Sequence, residues 1–177
     1  NAKIIINNYS KDQLKYIFKN FGELKNYKKV TEKIISERRK KSIDTTGDLK
    51  KILAPLVKVK NENKFLARIF QSIRIEVNDE LKVIRTLLND SSRYIKKGGR
   101  LVCISYHSLE DRIVKKFIQN GGYNDEVVTD FYGNKNVIFK KVGKMITPSS
   151  EEINLNNRSR SAKLRIAEKI WETFCPF

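Results

Sequence analysis

The chain has 177 residues, of which 40% are hydrophobic and 10% aromatic, so it can build a packed core and is not disordered throughout. Its 37 lysine and arginine residues exceed its 20 acidic residues, and the formal net charge of +17 favours a polyanionic partner. No apolar run approaches the roughly 18 residues that a membrane-spanning helix needs, so the sequence predicts no membrane span.

The basic charge is concentrated toward the amino-terminal end. Residues 1–60 carry 16 basic and 6 acidic side chains, whereas residues 121–177 carry 9 and 7. Two interpretations stay open, a solvated lysine-rich surface and a nucleic-acid interface. Cys103 and Cys175 fit no metal or redox spacing, which favours a reducing compartment. Because the chain begins with Asn1 rather than methionine, we expect it to be part of a longer polypeptide.

The first 60 residues predict three short amphipathic helices. Ser10 and Gln13 form a capping-box pattern that begins the first helix, and Gly22 ends it. The second helix spans about residues 26–40, and the third follows Thr46. The positions predicted to face the core recur at intervals of three and four. They are Leu14, Ile17, Phe18 and Phe21, then Tyr27, Val30, Ile34 and Ile35, then Leu49, Ile52 and Leu53.

A long apolar stripe follows in the middle of the chain. Its spacing predicts one continuous helix over about residues 65–89. The stripe consists of Phe70, Ile73, Val77, Leu81, Ile84 and Leu88. After a turn at residues 96–99, the apolar run Arg100–Tyr106 predicts a buried parallel strand.

The remaining elements complete the pattern of an α/β protein. Ser108 and Asp111 form a second capping-box pattern that begins another helix. An irregular loop is expected at residues 123–136, and strands at about 137–142 and 161–170. Helices come first, followed by helix, strand, helix, strand and strand. This order predicts a small helical module joined to the latter half of an α/β sheet, whose missing strands would lie upstream.

Residues 105–112, with the sequence SYHSLEDR, contain the densest chemistry and the only histidine, His107. They follow a predicted strand, and ligands bind at the carboxyl ends of strands in open α/β sheets. Ser105 and His107 would share a face if the strand continued. A Ser-His-Asp hydrolase is disfavoured because both the G-x-S-x-G turn and a suitably placed acid are absent. It stays open whether Ser108 is a site residue or only a helix cap, and whether His107 is only a loop histidine.

A second polar cluster spans residues 156–165. If this segment were extended, Arg158 and Arg160 would share one face, where guanidinium groups suit phosphates and base edges. The alternative is a solvated edge strand. No G-x-G pattern, P-loop or metal-ligand cluster occurs anywhere in the sequence, so we expect no cofactor-binding and no metal site in this chain.

Four segments together resemble the bacterial RsmH (MraW) family, which methylates the N4 amine of a cytosine in small-subunit ribosomal RNA with S-adenosylmethionine. Three of them are Phe70–Leu81, Gly98–Phe117 and Asn156–Lys169, in the family's order and spacing. The fourth is the amino-terminal stretch, which resembles the family's inserted helical domain. Asn157 departs from the family pattern, which usually has proline there.

The resemblance implies an α/β fold, namely the C-terminal part of a Rossmann-like class I methyltransferase sheet plus an inserted helical domain. Residues 1–67 would form the inserted substrate-recognition domain and residues 68–177 the C-terminal part of the catalytic domain. The S-adenosylmethionine site would lie upstream of residue 1, so we expect this fragment alone to be inactive. The partner would be small-subunit ribosomal RNA or the ribosomal subunit, in the bacterial cytoplasm or, for an organellar homologue, in an organelle.

In the intact enzyme that the resemblance implies, the position of residues 105–108 after a predicted strand and the distribution of basic residues suggest roles for individual residues. Ser105, His107 and Ser108 would line the cytosine pocket. The residues expected to contact RNA are Arg38, Arg39, Lys40, Lys41, Arg112, Arg158, Arg160, Lys163 and Arg165. Two other functions remain as alternatives, a non-catalytic RNA- or ribosome-binding module and a purely structural α/β domain.

Overall fold

The computed structural model describes residues 1–123 and 137–171, which fall into two compact units, Asn1–Glu80 and Leu81–Phe177. All of the predicted loop except Tyr123 lies outside the described residues, as does Cys175. Within the described parts of the chain, no helix combines the length and apolarity needed to cross a bilayer.

The first unit is entirely helical. Its elements are α1 (Ala2–Asn8), α2 (Lys11–Asn20), α3 (Tyr27–Arg38), α4 (Thr46–Leu53), two short 3-10 turns (Ala54–Leu56 and Val59–Asn61) and α5 (Glu62–Asn78). The predicted capping box at Ser10 and Gln13 is confirmed, and Thr45 with Asp48 forms another at the start of α4. The predicted inward residues form one core, in which Leu14, Phe18, Val30, Ile34 and Leu53 are completely buried.

The second unit contains a three-stranded antiparallel sheet. Its elements are α6 (Glu80–Tyr94), β1 (Arg100–Ser105), α7 (Ser108–Asn120), β2 (Phe139–Ile146), α8 (Ser150–Leu155), a 3-10 helix (Asn157–Ser161) and β3 (Lys163–Lys169). The strand order is β1-β3-β2, so β3 pairs with both neighbours. The core lies between the sheet and α7, where Phe117, Phe139 and Ala167 are buried. A mixed α/β architecture is therefore confirmed.

The prediction of one long helix is wrong. The helix ends at Asn78, Asp79 adopts the left-handed conformation with φ of 52°, and α6 begins at Glu80. Aspartate tolerates this conformation better than most residues. The apolar stripe therefore divides between two cores, with Ile73 in the first and Leu88 in the second. The predicted domain boundary after residue 67 falls inside α5, and the inserted-domain assignment stays a prediction.

Within the described residues, the strand that was predicted to be buried and parallel is antiparallel to its neighbour and buried on one face. β1 pairs antiparallel with β3, its one neighbour among the described strands. Leu101 and Ser105 are buried on the face toward α7, whereas Val102 and Ile104 on the other face are 56% and 59% exposed. The run of apolar residues thus reflects a strand whose second face is uncovered within the described residues.

Candidate nucleic-acid interface

The junction between β1 and α7 is built around an unusual helix cap. β1 ends at Ser105, and α7 begins at Ser108 with His107 as its N-cap. The Nδ1 atom of His107 accepts a hydrogen bond from the Glu110 backbone N–H at 3.3 Å. The capping box therefore joins His107 and Glu110, one residue before the predicted Ser108 and Asp111, because the helix starts one residue earlier than that prediction required.

The carboxylate of Glu110 fixes the loop that precedes α7. One of its oxygens accepts hydrogen bonds from the backbone N–H groups of Tyr106 (2.8 Å) and His107 (3.2 Å), and the other lies 3.2 Å from His107 Nε2. Burial acts to raise the pKa of Glu110, but the hydrogen bonds from His107 and Tyr106 outweigh it and leave this pKa below its ordinary value.

The next acidic residue, Asp111, joins α7 to β3. Its carboxylate accepts two hydrogen bonds from the Arg165 guanidinium, at 2.6 and 3.1 Å, and one from Lys163 at 3.3 Å. Burial acts to raise the pKa of Asp111, but Arg165 and Lys163 lower it by more, so the pKa lies below its ordinary value. Lys163 and Arg165, both expected to contact RNA, are thus engaged within the unit.

An open cleft of about 310 Å³ lies beside this junction, lined by Tyr106, Asn157, Arg158, Arg160 and Ser161. The Tyr106 side chain is 57% exposed, and Arg158 and Arg160 are exposed as well. The structure therefore brings an aromatic ring and two guanidinium groups together from segments about 50 residues apart in the chain. Base stacking on aromatic rings and arginine contacts to phosphate are the common means of binding single-stranded nucleic acid.

The segment that carries the two arginines is a 3-10 helix, so the extended conformation on which their shared strand face depended does not occur. Asn156 caps it by accepting a hydrogen bond from the Arg158 backbone N–H at 3.1 Å, and Ser159 Oγ donates to the Asn156 carbonyl at 2.8 Å. These local side-chain bonds compete with strand formation. Arg160 additionally donates to Asn157 Oδ1 at 3.3 Å.

The predicted cytosine-pocket residues occupy different environments. Ser105 is 4% exposed, and its hydroxyl donates to the Lys163 carbonyl at 3.5 Å. The side chain of His107 is 11% exposed, and Ser108 is exposed on the first turn of α7. Arg112 is exposed one turn further along α7. Because the strand stops at Ser105, the shared face expected for Ser105 and His107 does not arise from a continuing strand.

The basic run at the end of α3 divides into one internal and three outward residues. Arg38 donates to the carbonyls of Ile6 (2.8 Å) and Tyr9 (2.7 Å), and burial lowers its pKa. These bonds hold the end of α3 to the end of α1. The residues that stay exposed are Arg39, Lys40 and Lys41, of which Lys40 pairs with Glu37 at 3.1 Å.

Residues 1–170 match the sequence model of the MraW methylase family. The chain belongs to the MraW methylase family. Curated relatives named ribosomal RNA small subunit methyltransferase H are 49% identical over 170 residues in Flavobacterium johnsoniae, 51% in Karelsulcia muelleri and 46% over 169 residues in Bacteroides thetaiotaomicron. These alignments cover 95–96% of this MraW-family chain but 56% of each relative, so it spans slightly more than half of their length.

Two residues of this MraW-family chain were missed as candidate site residues. Tyr106 lines the cleft, and Glu110 fixes the loop that presents it. The position of Tyr106 directly after a strand and close to a basic cluster would have indicated it as a site residue. The three-residue spacing from His107 to Glu110 would have indicated Glu110, had histidine been considered as an N-cap residue.

Proposed function

We propose that this chain is the RNA-binding part of an enzyme that methylates the exocyclic N4 amine of a cytosine in small-subunit ribosomal RNA. The observation that carries the proposal is the cleft in which Tyr106 meets Arg158 and Arg160 in a member of the MraW methylase family. The partner would be the small ribosomal subunit or its RNA, in the bacterial cytoplasm. The names of the curated relatives support this substrate class.

The cleft would hold the RNA strand next to the target base. Stacking of one base on Tyr106 contributes about 1–3 kcal/mol in other single-strand complexes and tolerates any sequence. Arg158 and Arg160 would bind the flanking phosphates with their planar guanidinium groups. Because Glu110 holds the Tyr106 backbone and Asn156 caps the arginine segment, both walls are ordered before RNA binds, which lowers the entropic cost of binding.

Ser105, His107 and Ser108 remain the proposed lining of the cytosine pocket. The N4 amine is conjugated with the ring and weakly nucleophilic, so the reaction depends on positioning and on an acceptor for the N4 proton. The target base must leave any stack to be reached. The capping box at His107 and Glu110 would fix the orientation of this lining relative to the base.

We further propose S-adenosylmethionine as the methyl donor, bound by residues outside this chain. The sequence has no glycine-rich phosphate or cofactor loop, and the chain spans 56% of relatives that carry the full activity in their names. Among the described strands β1 lies at the edge of the sheet, and this supports a larger Rossmann-like sheet in which residues 68–177 are the C-terminal part. The exposed Val102 and Ile104 support a further layer packed on that face. Residues 1–67 would be the inserted domain.

The proposal is tested with the protein extended to the length of its relatives. Small ribosomal subunits that lack the modification are incubated with it and S-adenosylmethionine, and N4-methylcytosine is measured by mass spectrometry after nuclease digestion. We expect methylation, a large loss with His107→Ala, and a raised KM for the subunit with the double variant Arg158→Gln/Arg160→Gln. Arg93→Gln, an exposed change on α6, is the matched control and should leave both parameters unchanged.

A non-catalytic RNA-binding module is the second candidate, favoured by the absence of a cofactor loop in this sequence. It predicts salt-dependent RNA binding without methyl transfer in the extended protein. Methylation that is unaffected by His107→Ala would remove the cytosine-pocket assignment, and the absence of RNA binding would leave only a structural domain.

A further inference from the structure

The helical unit contains a pocket of its own, of about 280 Å³. Three segments form it: the loop that follows α2, the connection between α4 and α5, and the first two turns of α5. Its volume is close to the lower end of the range of about 300–1,000 Å³ that small-ligand sites occupy. A single nucleotide or a short side chain would fit such a volume, whereas a folded domain would not.

The wall contributed by the loop after α2 is rigid. Gly22 is buried, and a Cβ atom there would lie 2.9 Å from the Phe18 carbonyl and 3.2 Å from the Arg68 carbonyl, so only glycine allows this close approach to α5. Glu23 adopts φ of 47°, and the Leu24 N–H then donates to the Phe18 carbonyl at 3.1 Å. Gln71 on α5 also donates to the Phe21 carbonyl at 3.3 Å. These contacts hold the loop that forms the pocket wall against α5.

The floor and the rim of the pocket differ in chemistry. Leu24 and Phe65, which are 5% and 8% exposed, form an apolar floor. The rim carries three exposed cations and two side-chain amides. They are Lys25, Lys64, Arg68, Asn26 and Asn61.

The lining contains no carboxylate. Glu62, the nearest acidic residue along α5, is paired at 3.5 Å with Lys50, which lies outside the lining. Arg68 donates weakly to the Glu23 carbonyl at 3.4 Å. Asn61 precedes the first turn of α5, and its side chain makes no capping bond there. The rim therefore combines positive charge with amide groups that can pair with polar edges of a ligand.

We propose that this pocket binds one unpaired nucleotide of RNA, with the base on the apolar floor, the amides of Asn26 and Asn61 at the base edge, and the phosphate held by Lys25 and Lys64. The inference rests on the proposed function, because it takes ribosomal RNA as the ligand. An apolar floor with cations and amides around it suits a base joined to a phosphate. The concentration of basic residues in residues 1–60 complements the same polyanion.

The first experiment measures binding of a single-stranded RNA oligonucleotide to the chain over a series of salt concentrations. The variant Lys25→Gln/Lys64→Gln should weaken binding about 5- to 10-fold and lower the slope of log K against log salt by about 1. The variant Lys28→Gln/Lys29→Gln, which removes the same charge from the exposed side of α3, is the matched control and should change affinity less than about twofold. If both variants weaken RNA binding equally, the effect comes from the overall positive charge of the unit, and the pocket is not a nucleotide site.

A second experiment reports on the base itself. RNA containing 4-thiouridine is crosslinked to the chain by light, and the attached peptides are identified by mass spectrometry. Crosslinks within residues 24–26 or 61–65 are expected, and they should disappear with the variant Asn26→Ala/Asn61→Ala. Crosslinks that lie outside both segments would show that the pocket does not bind the nucleotide. Loss of only these crosslinks when an acidic peptide is added as a competitor would show that the ligand of the pocket is a peptide and not a nucleotide.

The cleft variant Arg158→Gln/Arg160→Gln separates this inference from the proposed function. If the wild-type chain binds no RNA, the proposed function fails. If the cleft variant weakens binding while Lys25→Gln/Lys64→Gln does not, the cleft assignment stands and the pocket inference alone fails.

Discussion

Replacing Asp111 by alanine should destabilise the second unit by about 3 kcal/mol. The Asp111 carboxylate accepts two hydrogen bonds from Arg165, and the side chains of the two residues are only 10% and 14% exposed. The substitution leaves the Arg165 guanidinium largely buried without its counter-charge, next to the ammonium of Lys163.

The magnitude follows from the burial of this pair. Removal of one partner of a buried ion pair costs about 3–5 kcal/mol, and the lower value applies because Lys163 is 36% exposed and water can reach the remaining charges from its side. A unit of this size has a free energy of unfolding of about 5–15 kcal/mol. The single substitution therefore removes a large share of the stability of the sheet and α7.

Hydrogen exchange of the whole chain, read by mass spectrometry on peptides from β1 and β3, measures this loss locally. A loss of 3 kcal/mol corresponds to exchange that is faster by a factor of about 10². Glu168→Gln is the control, because Glu168 pairs with Arg100 at 3.8 Å and both side chains are exposed, so its effect should stay below about 1 kcal/mol. Exchange in Asp111→Ala that matches the control would refute the reasoning.

Three further outcomes are expected. The pKa of Asp111 is held below its ordinary value of 3.8, so its stabilising contribution is present above that pH and is lost as the pH falls further. Below pH 3.8, the free energy of unfolding should therefore decrease more steeply with falling pH in the wild type than in Asp111→Asn. Lys169 is buried and donates hydrogen bonds to the carbonyls of Ser92 and Ile95 at 2.7 Å. The substitution Lys169→Met should therefore lower the free energy of unfolding by about 2–3 kcal/mol. Urea titrations in which unfolding is monitored by hydrogen exchange of α6 measure this loss. Asp79 adopts the left-handed conformation, which only glycine adopts without strain. Asp79→Val should therefore lower the free energy of unfolding by about 1–2 kcal/mol, whereas Asp79→Gly should leave it unchanged. Thermal unfolding of the two variants measures the difference.

Local signals along the chain predicted the helices of the first unit well. The capping box at Ser10 and Gln13 involves residues three apart, and the stripe Leu14, Ile17 and Phe18 repeats within a single helix, so both patterns are complete inside a few turns. Neither depends on which other element packs nearby.

The break at Asp79 could not be read in the same way. The apolar stripe keeps its spacing through Val77 and Leu81, so periodicity alone predicts an unbroken helix. One residue in the left-handed conformation is enough to end α5, and Ile73 before it and Leu88 after it pack into separate cores. The antiparallel pairing of β1 with β3 was not predicted for a related reason, since a strand's own residues do not reveal which neighbour it pairs with.

The candidate site was foreseen in part. The two motifs that contain His107 and the Arg158–Arg160 pair were both singled out from residue types, and the structure brings Tyr106 of the first motif into one cleft with the arginines of the second. That meeting depends on β1 and β3 lying side by side, which fixes segments about 50 residues apart at the same end of the sheet.

The family, the helices of the amino-terminal unit and the excess of positive charge could be predicted from the amino-acid sequence, because motifs, short-range periodicity and composition are properties of the chain alone. Which cations face outward became clear from the packing of the elements. Arg38 is bound to carbonyls and Arg165 to Asp111, whereas Arg158 and Arg160 line an open cleft. The physical reason is that a cation's availability to RNA depends on its burial and on partners distant in the chain, which packing alone brings within hydrogen-bonding distance.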